Sequence, residues 1–192
     1  MYKKVIVYSL FVAAVFSSCI KSKDVVFEKN LAELDVASFN TVFGTLTYPF
    51  ITRQPTAAGR AIVTAADPFI TRASGTATFR INLIGKQRSG SSTVKYKIFT
   101  VGTSVGATVT YAAPVSGTLT TFDGASGTHY TDAGNGTCTI PANSSFGTIT
   151  FNIINSGVSA NQTALIGIEL LDGGDIAISA NYSKMAFAIS QK

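Results

Sequence analysis

The sequence predicts an all-β fold, a sandwich or barrel of short strands, and three observations carry that prediction. From Phe146 to Ile154 the chain alternates, with Phe146, Ile149, Phe151 and Ile153 apolar and Thr148, Thr150 and Asn152 polar. That is close to the period of two of a strand with one buried face. Turn-forming residues recur between short apolar stretches along the rest of the chain, a spacing typical of sandwiches and barrels. After Cys19 no long apolar stripe keeps a helical period. Only 13% of residues are charged and 46% are hydrophobic, which suits an extracytoplasmic β-protein whose outer faces carry hydroxyls.

With 192 residues the chain is long enough for one domain. By the usual scaling it buries about 70% of its surface without needing disulfides. Val25 to Lys29 is suited to a first strand and Asn30 breaks it. Leu31 to Asp35 has the composition of a turn of helix, and Val36 to Thr47 that of strands or an irregular edge. Pro49-Phe50-Ile51-Thr52-Arg53 recurs as Pro68-Phe69-Ile70-Thr71-Arg72. Two copies are too few for a solenoid. Each can be the start of a strand with Pro first, where the missing N–H costs little, or the pair can be exposed Phe/Arg loops contacting a ligand or partner. Thr76 to Ile84 alternates with Ala77, Phe79, Ile81 and Leu83 on one face, and Lys86 to Ser92 is a polar turn. Val94 to Val101 alternates again through Val94, Tyr96 and Ile98, with Lys95 and Lys97 on the solvent face. Ala107 to Tyr111 is a short strand, Pro114 to Phe122 a loop or edge strand, and Gly136 to Ile140 a strand. Asn155 to Asn161 is a turn, Ala164 to Leu171 a strand, Asp172-Gly173-Gly174-Asp175 a tight turn and Met185 to Ile189 the closing strand.

The first residues carry an address. Met1 to Lys4 is basic, Val5 to Phe16 is apolar, and Ser17-Ser18-Cys19 ends the run. A membrane span needs about 20 apolar residues, so this shorter run matches a secretory signal. Phe16-Ser17-Ser18-Cys19 resembles the lipobox of bacterial lipoproteins, with Phe16 in place of the usual Leu. The resemblance implies removal of residues 1–18 and acylation of the Cys19 thiol, with palmitate-like chains. Residues 19–24 would be the lipidated tether and residues 25–192 the β-sandwich domain. The other reading is an ordinary signal peptide in which Cys19 is incidental. Acyl chains contribute about 0.8 kcal/mol per buried methylene, so two or three of them anchor a protein durably. With Cys19 acylated, Cys138 has no partner and the domain is held without a disulfide.

The stretch from Phe122 to Ile154 resembles a Calx-beta-type sandwich, the immunoglobulin-like module with a small-x-Gly-x-Asp-Tyr corner, a strand, a Pro-Ala-Gly-like turn and a long alternating strand. The matching residues are Ala125-Ser126-Gly127-Thr128-His129-Tyr130, Gly136 to Asn143 and Gly147 to Ile154. They cover the C-terminal third to half of the chain. The chain is also similar to short envelope domains of this type on lipoproteins of Bacteroides-like bacteria. The resemblance implies an immunoglobulin-like, antiparallel β-sandwich behind a lipoprotein signal peptide. It implies a fold more than an activity, because sandwiches host many functions. Several relatives bind calcium through a corner Asp and an acidic run after the long strand. Here those positions are His129 and Asn155-Ser156-Gly157-Val158-Ser159, so the family's calcium residues do not carry over.

Tests for chemistry assemble no constellation. A Ser-His-Asp site needs a base beside its nucleophile. His129 is the sole His, and no Gly-x-Ser-x-Gly elbow accompanies it. It reads as a structural corner residue. One His and one free Cys are too few for a catalytic zinc, and no phosphate-binding Gly-rich loop is present. Cys138 alternates with Thr137 and Thr139 and reads as a small buried residue. Asp67, Asp123, Asp132, Glu169, Asp172 and Asp175 are glycosidase candidates by type only. Most sit in turns, where Asp serves backbone hydrogen bonds. The net charge is +5, or +3 without Lys3 and Lys4. There is no Lys/Arg cluster with interleaved aromatics, which argues against nucleic acid. The expectation is a non-catalytic, lipid-anchored envelope protein on the outer membrane, facing the periplasm or the cell surface. It would use no cofactor and would bind or scaffold a glycan or envelope-protein partner. A calcium-dependent adhesion module and a polysaccharide-processing enzyme are the alternatives.

Overall fold

A computed structural model describes residues 29–35, 46–55, 62–102, 107–155 and 161–192. Several expectations therefore lie outside the described residues: the leader, Cys19 and the tether, the strand at 25–28, the segment 36–45 and most of the run 155–159. Among the described residues no helix is long and apolar enough to cross a membrane.

The described chain is all-β, in two sheets. The first has the order β11 (Ala177–Ile178), β1 (Leu31–Leu34), β3 (Thr76–Ile84), β9 (Phe146–Ile153) and β7 (Tyr130–Asp132). The second has the order β2 (Phe50–Ile51), β12 (Lys184–Ser190), β10 (Gln162–Leu171), β4 (Ser92–Phe99) and β8 (Thr137–Ile140). β6 (Gly117–Asp123) joins β10, and β5 (Thr108–Tyr111) pairs with β6.

The alternation read from β3 and β9 is what closes the sandwich. Ala77, Phe79, Ile81, Ile149 and Phe151 turn inward and meet Val94, Tyr96, Ile166, Ile168 and Phe187 of the second sheet. At the centre, Phe187 stands 4.6 Å from Phe79 and 5.1 Å from Phe151, centroid to centroid. Each such ring contributes about 1.5–3 kcal/mol by leaving water.

Three expectations change. Leu31–Leu34 is a strand, not a turn of helix: it pairs antiparallel with β3 and buries Ala32 and Leu34 fully. So short a segment cannot nucleate a helix by itself, whereas a neighbouring strand supplies a ready ladder. The sandwich is also mixed rather than antiparallel. β1 with β11, β10 with β6 and β12 with β2 are parallel pairs. Finally, Pro114 to Phe122, expected as a loop or an edge strand, holds most of β6, a strand paired on both sides, with β5 and with β10, because β10 changes neighbours along its length. It pairs with β6 from Gln162 to Leu165 and with β4 from Gly167 to Leu171.

The fork at β10 creates a second core. Leu165, Ala186 and Ala188 point away from the sandwich interior and are covered by Phe50, Phe69, Val109, Tyr111, Val115 and Leu119. β10 and β12 are thus buried on both faces, and their sequences run apolar without alternation.

Candidate functional site

The two Pro-Phe-Ile-Thr-Arg copies lie side by side. Arg53 bridges antiparallel to Phe69, the Ile70 N–H donates to the Thr52 carbonyl at 2.8 Å, and the Gln54 N–H donates to the Pro68 carbonyl at 3.1 Å. Both dock on the same strand. Phe50 and Ile51 pair parallel with Ala186 and Phe187, and Thr71 bridges parallel to Ser190. In each copy Phe enters the second core and Ile the sandwich core. Period two explains the repeat, since each copy is a short edge segment with one apolar residue per face. The reading as exposed Phe/Arg loops is overturned, because Phe50 is 0% and Phe69 9% exposed. The Arg53 guanidinium lies 3.5 Å from the Phe69 ring centroid and donates to the Asp67 carbonyl. The Tyr111 ring meets Phe69 edge-on at 4.9 Å.

Beside the second copy opens a groove of about 460 Å³, lined by Gln54, Pro55, Pro68, Phe69, Ile70, Thr71, Ala73, Ser74, Thr76, Pro114 and Val115. Its volume falls in the range of roughly 300–1,000 Å³ typical of ligand pockets. The wall is built from three separate stretches of chain, 54–55, 68–76 and 114–115, and only Pro68 to Thr71 carried a sequence signal, through the repeat. Gln54, Thr76 and Pro114 carried none. The Gln54 side-chain oxygen accepts from the Thr78 N–H at 2.9 Å. The Thr71 and Ser74 hydroxyls hold their own turn, with the Thr71 N–H donating to Ser74 Oγ at 2.9 Å. Among the described residues, the lining contains no carboxylate, imidazole, thiol or cation. Such a site can bind through apolar contact and neutral hydrogen bonds, and it holds no acid–base pair.

The titratable candidates lie elsewhere and are occupied. His129 is 7% exposed. Its Nδ1 accepts from the Ala125 N–H at 2.9 Å, the His129 backbone N–H donates to the Ala125 carbonyl at 2.9 Å, and Phe122 packs against the ring at 5.0 Å. Burial holds this imidazole below its ordinary pKa. The Asp132 carboxylate accepts from the Gly134 N–H at 3.0 Å, from the Gly136 N–H at 2.8 Å and from the Tyr96 hydroxyl. It thereby ties the turn before β8 to β4. Asp67 accepts from the Thr64 N–H at 2.6 Å, Asp123 from the Gly102 N–H at 3.3 Å, Asp172 from the Ile178 N–H at 3.2 Å and Asp175 from the Thr93 N–H at 2.7 Å. Asp67 and Asp172 serve local turns, as their sequence context predicts, whereas Asp123 and Asp175 accept from backbone far along the chain. Glu169 sits on the outer face of the second sheet between Lys97, at 2.9 Å, and Lys184, at 3.2 Å. Its hydrogen bond to Lys97 leads the effects that lower its pKa. Cys138 is buried at 3% exposure, and burial pushes its thiol up to about 11. Among the described residues, no group of three or more His, Cys, Asp or Glu side chains could hold a metal ion.

No family model matches the chain. No curated protein matches it either. Among solved structures, EndoBT-3987 of Bacteroides thetaiotamicron with Man5GlcNAc product is 15% identical, over 64% of this chain and 28% of that one, with a TM-score of 0.40. A Bacteroides ovatus protein of unknown function is 11% identical, over 86% of this chain and 53% of that one, with a TM-score of 0.45. The chain is likewise similar to the Calx-beta-type sandwich anticipated from its sequence: the apo form of the Calx CBD1 domain is 11% identical over 86% of this chain and 99% of that one, with a TM-score of 0.48.

Proposed function

We propose that this chain is a non-catalytic binding module of the bacterial cell envelope, tied to the outer membrane through an acylated Cys19. Its binding surface is the groove beside the second Pro-Phe-Ile-Thr-Arg copy. The observation that carries the binding role is the groove's lining, which sets apolar walls beside neutral hydrogen-bonding groups. That combination suits recognition of a small ligand. The anchoring half rests on the basic, short apolar, Ser-Ser-Cys leader. Once residues 1–18 are removed and Cys19 is lipidated, the short segment 19–24 would keep the sandwich close to the lipid surface. The partner would be a glycan or another envelope protein.

Metabolic labelling with a fatty-acid probe tests the anchor. The native chain should take up label and fractionate with membranes, and Cys19→Ala should do neither. A mature protein that begins elsewhere and carries no acyl chain would remove the anchoring half of the proposal.

A further inference from the structure

Resting on the binding-module reading, we infer that the groove takes an uncharged saccharide of mono- or disaccharide size. Pro55, Pro68 and Pro114 contribute rigid apolar ring surfaces to it. The C–H faces of a pyranose are apolar and can lie against such surfaces, and rigid walls lose little conformational entropy on binding. Two neutral groups remain available. The Gln54 side-chain oxygen is spent on Thr78, but its Nε2 donates to nothing among the described residues, and neither does the Thr76 hydroxyl. One amide donor and one hydroxyl, placed beside an apolar wall, match the alternating hydroxyls and C–H faces of a sugar ring. Among the described residues the lining holds no counter-charge for a charged ligand, whose charge would lose water there without a partner.

The geometry also selects against an added peptide strand. The ladder from β1 to β3 continues to the Asp35 N–H on the Arg80 carbonyl, at 3.0 Å. The next N–H on that side of β3, that of Thr78, is already capped by Gln54 at 2.9 Å. A peptide augmenting the sheet there needs that N–H, whereas a sugar does not.

The test is saturation-transfer difference NMR on the full-length protein in a sugar-free zwitterionic detergent. The probes are mannobiose, maltose, cellobiose and chitobiose, with a diglucuronide and a proline-rich peptide as comparators. At least one neutral disaccharide should give transfer and the diglucuronide none. Ala73→Trp, which fills the groove from an exposed position, should abolish transfer. Thr76→Val, which keeps the shape and removes the hydroxyl, should weaken affinity at least five-fold. Circular dichroism of both variants should match the parent. Binding of the acidic sugar or the peptide alone, transfer that survives Ala73→Trp, or no transfer from any neutral probe would each overturn the inference. The fatty-acid labelling above is read separately, so failure of the sugar leaves the anchor standing and failure of the anchor leaves the sugar standing.

Discussion

The two copies of Pro-Phe-Ile-Thr-Arg share five residues and a docking strand, yet they finish differently. Around the first, Phe50 is fully enclosed between β12 and the β5–β6 hairpin cluster. Around the second, Phe69 keeps 9% exposure and forms one wall of the groove. Identical local sequence sent one apolar residue to each core in both copies, although the first docks on β12 through Phe50 and Ile51 and the second through Thr71. The surroundings then decided that one copy is packing and the other borders a candidate site. A motif of this kind reports backbone pairing, and its use depends on what the distant chain brings alongside.

The comparison breaks most sharply by truncating each ring. Phe50→Ala should destabilise by about 3–5 kcal/mol, the usual range for a fully buried Phe, read from denaturant midpoints. Phe69→Ala should cost less than Phe50→Ala while removing the groove wall, so its larger consequence is lost ligand transfer. Equal stability losses in the two variants would show that the copies are interchangeable packing. A smaller effect is expected of Arg53→Ala, which removes a guanidinium 3.5 Å from the Phe69 centroid. A loss of about 0.5–2 kcal/mol follows from cation–π estimates, and no comparable contact ties Arg53 to Phe50. The smallest effect separates both copies from the corner at His129. Neither copy contains a group that titrates near neutrality, whereas buried His129 has its pKa lowered from the ordinary 6.5. Below that value the unfolded chain takes up a proton that the folded corner resists, so this contribution is complete above it and lost as the pH falls. Thermal melts from pH 7.5 to pH 5 should show an acid decline that flattens in His129→Gln and persists in Arg53→Ala.

Much of the architecture was legible because β3 and β9 each expose one face, so that period two appears in the sequence. β3 runs from Thr76 to Ile84 as alternation predicts. β12 was legible as a strand but not as a shared wall. Its apolar run records two cores, and no local pattern says what covers the outer one. Leu31–Leu34 was misread because four residues hold too little periodicity to separate a strand from a turn of helix, and β3 decided between them. The His129 corner and buried Cys138 were readable from their neighbours. The groove was not, since Gln54, Thr76 and Pro114 meet only through pairings across the fold. The repeat marked its location without revealing its chemistry.

The most direct measurement is amide hydrogen exchange on the full-length protein, with and without the neutral disaccharide giving the strongest transfer. Binding in the groove predicts slowed exchange in the peptides spanning 69–76 and 112–116 and unchanged exchange around His129 and along the Glu169 face. Protection confined to those other regions, or no change at 69–76, would contradict it.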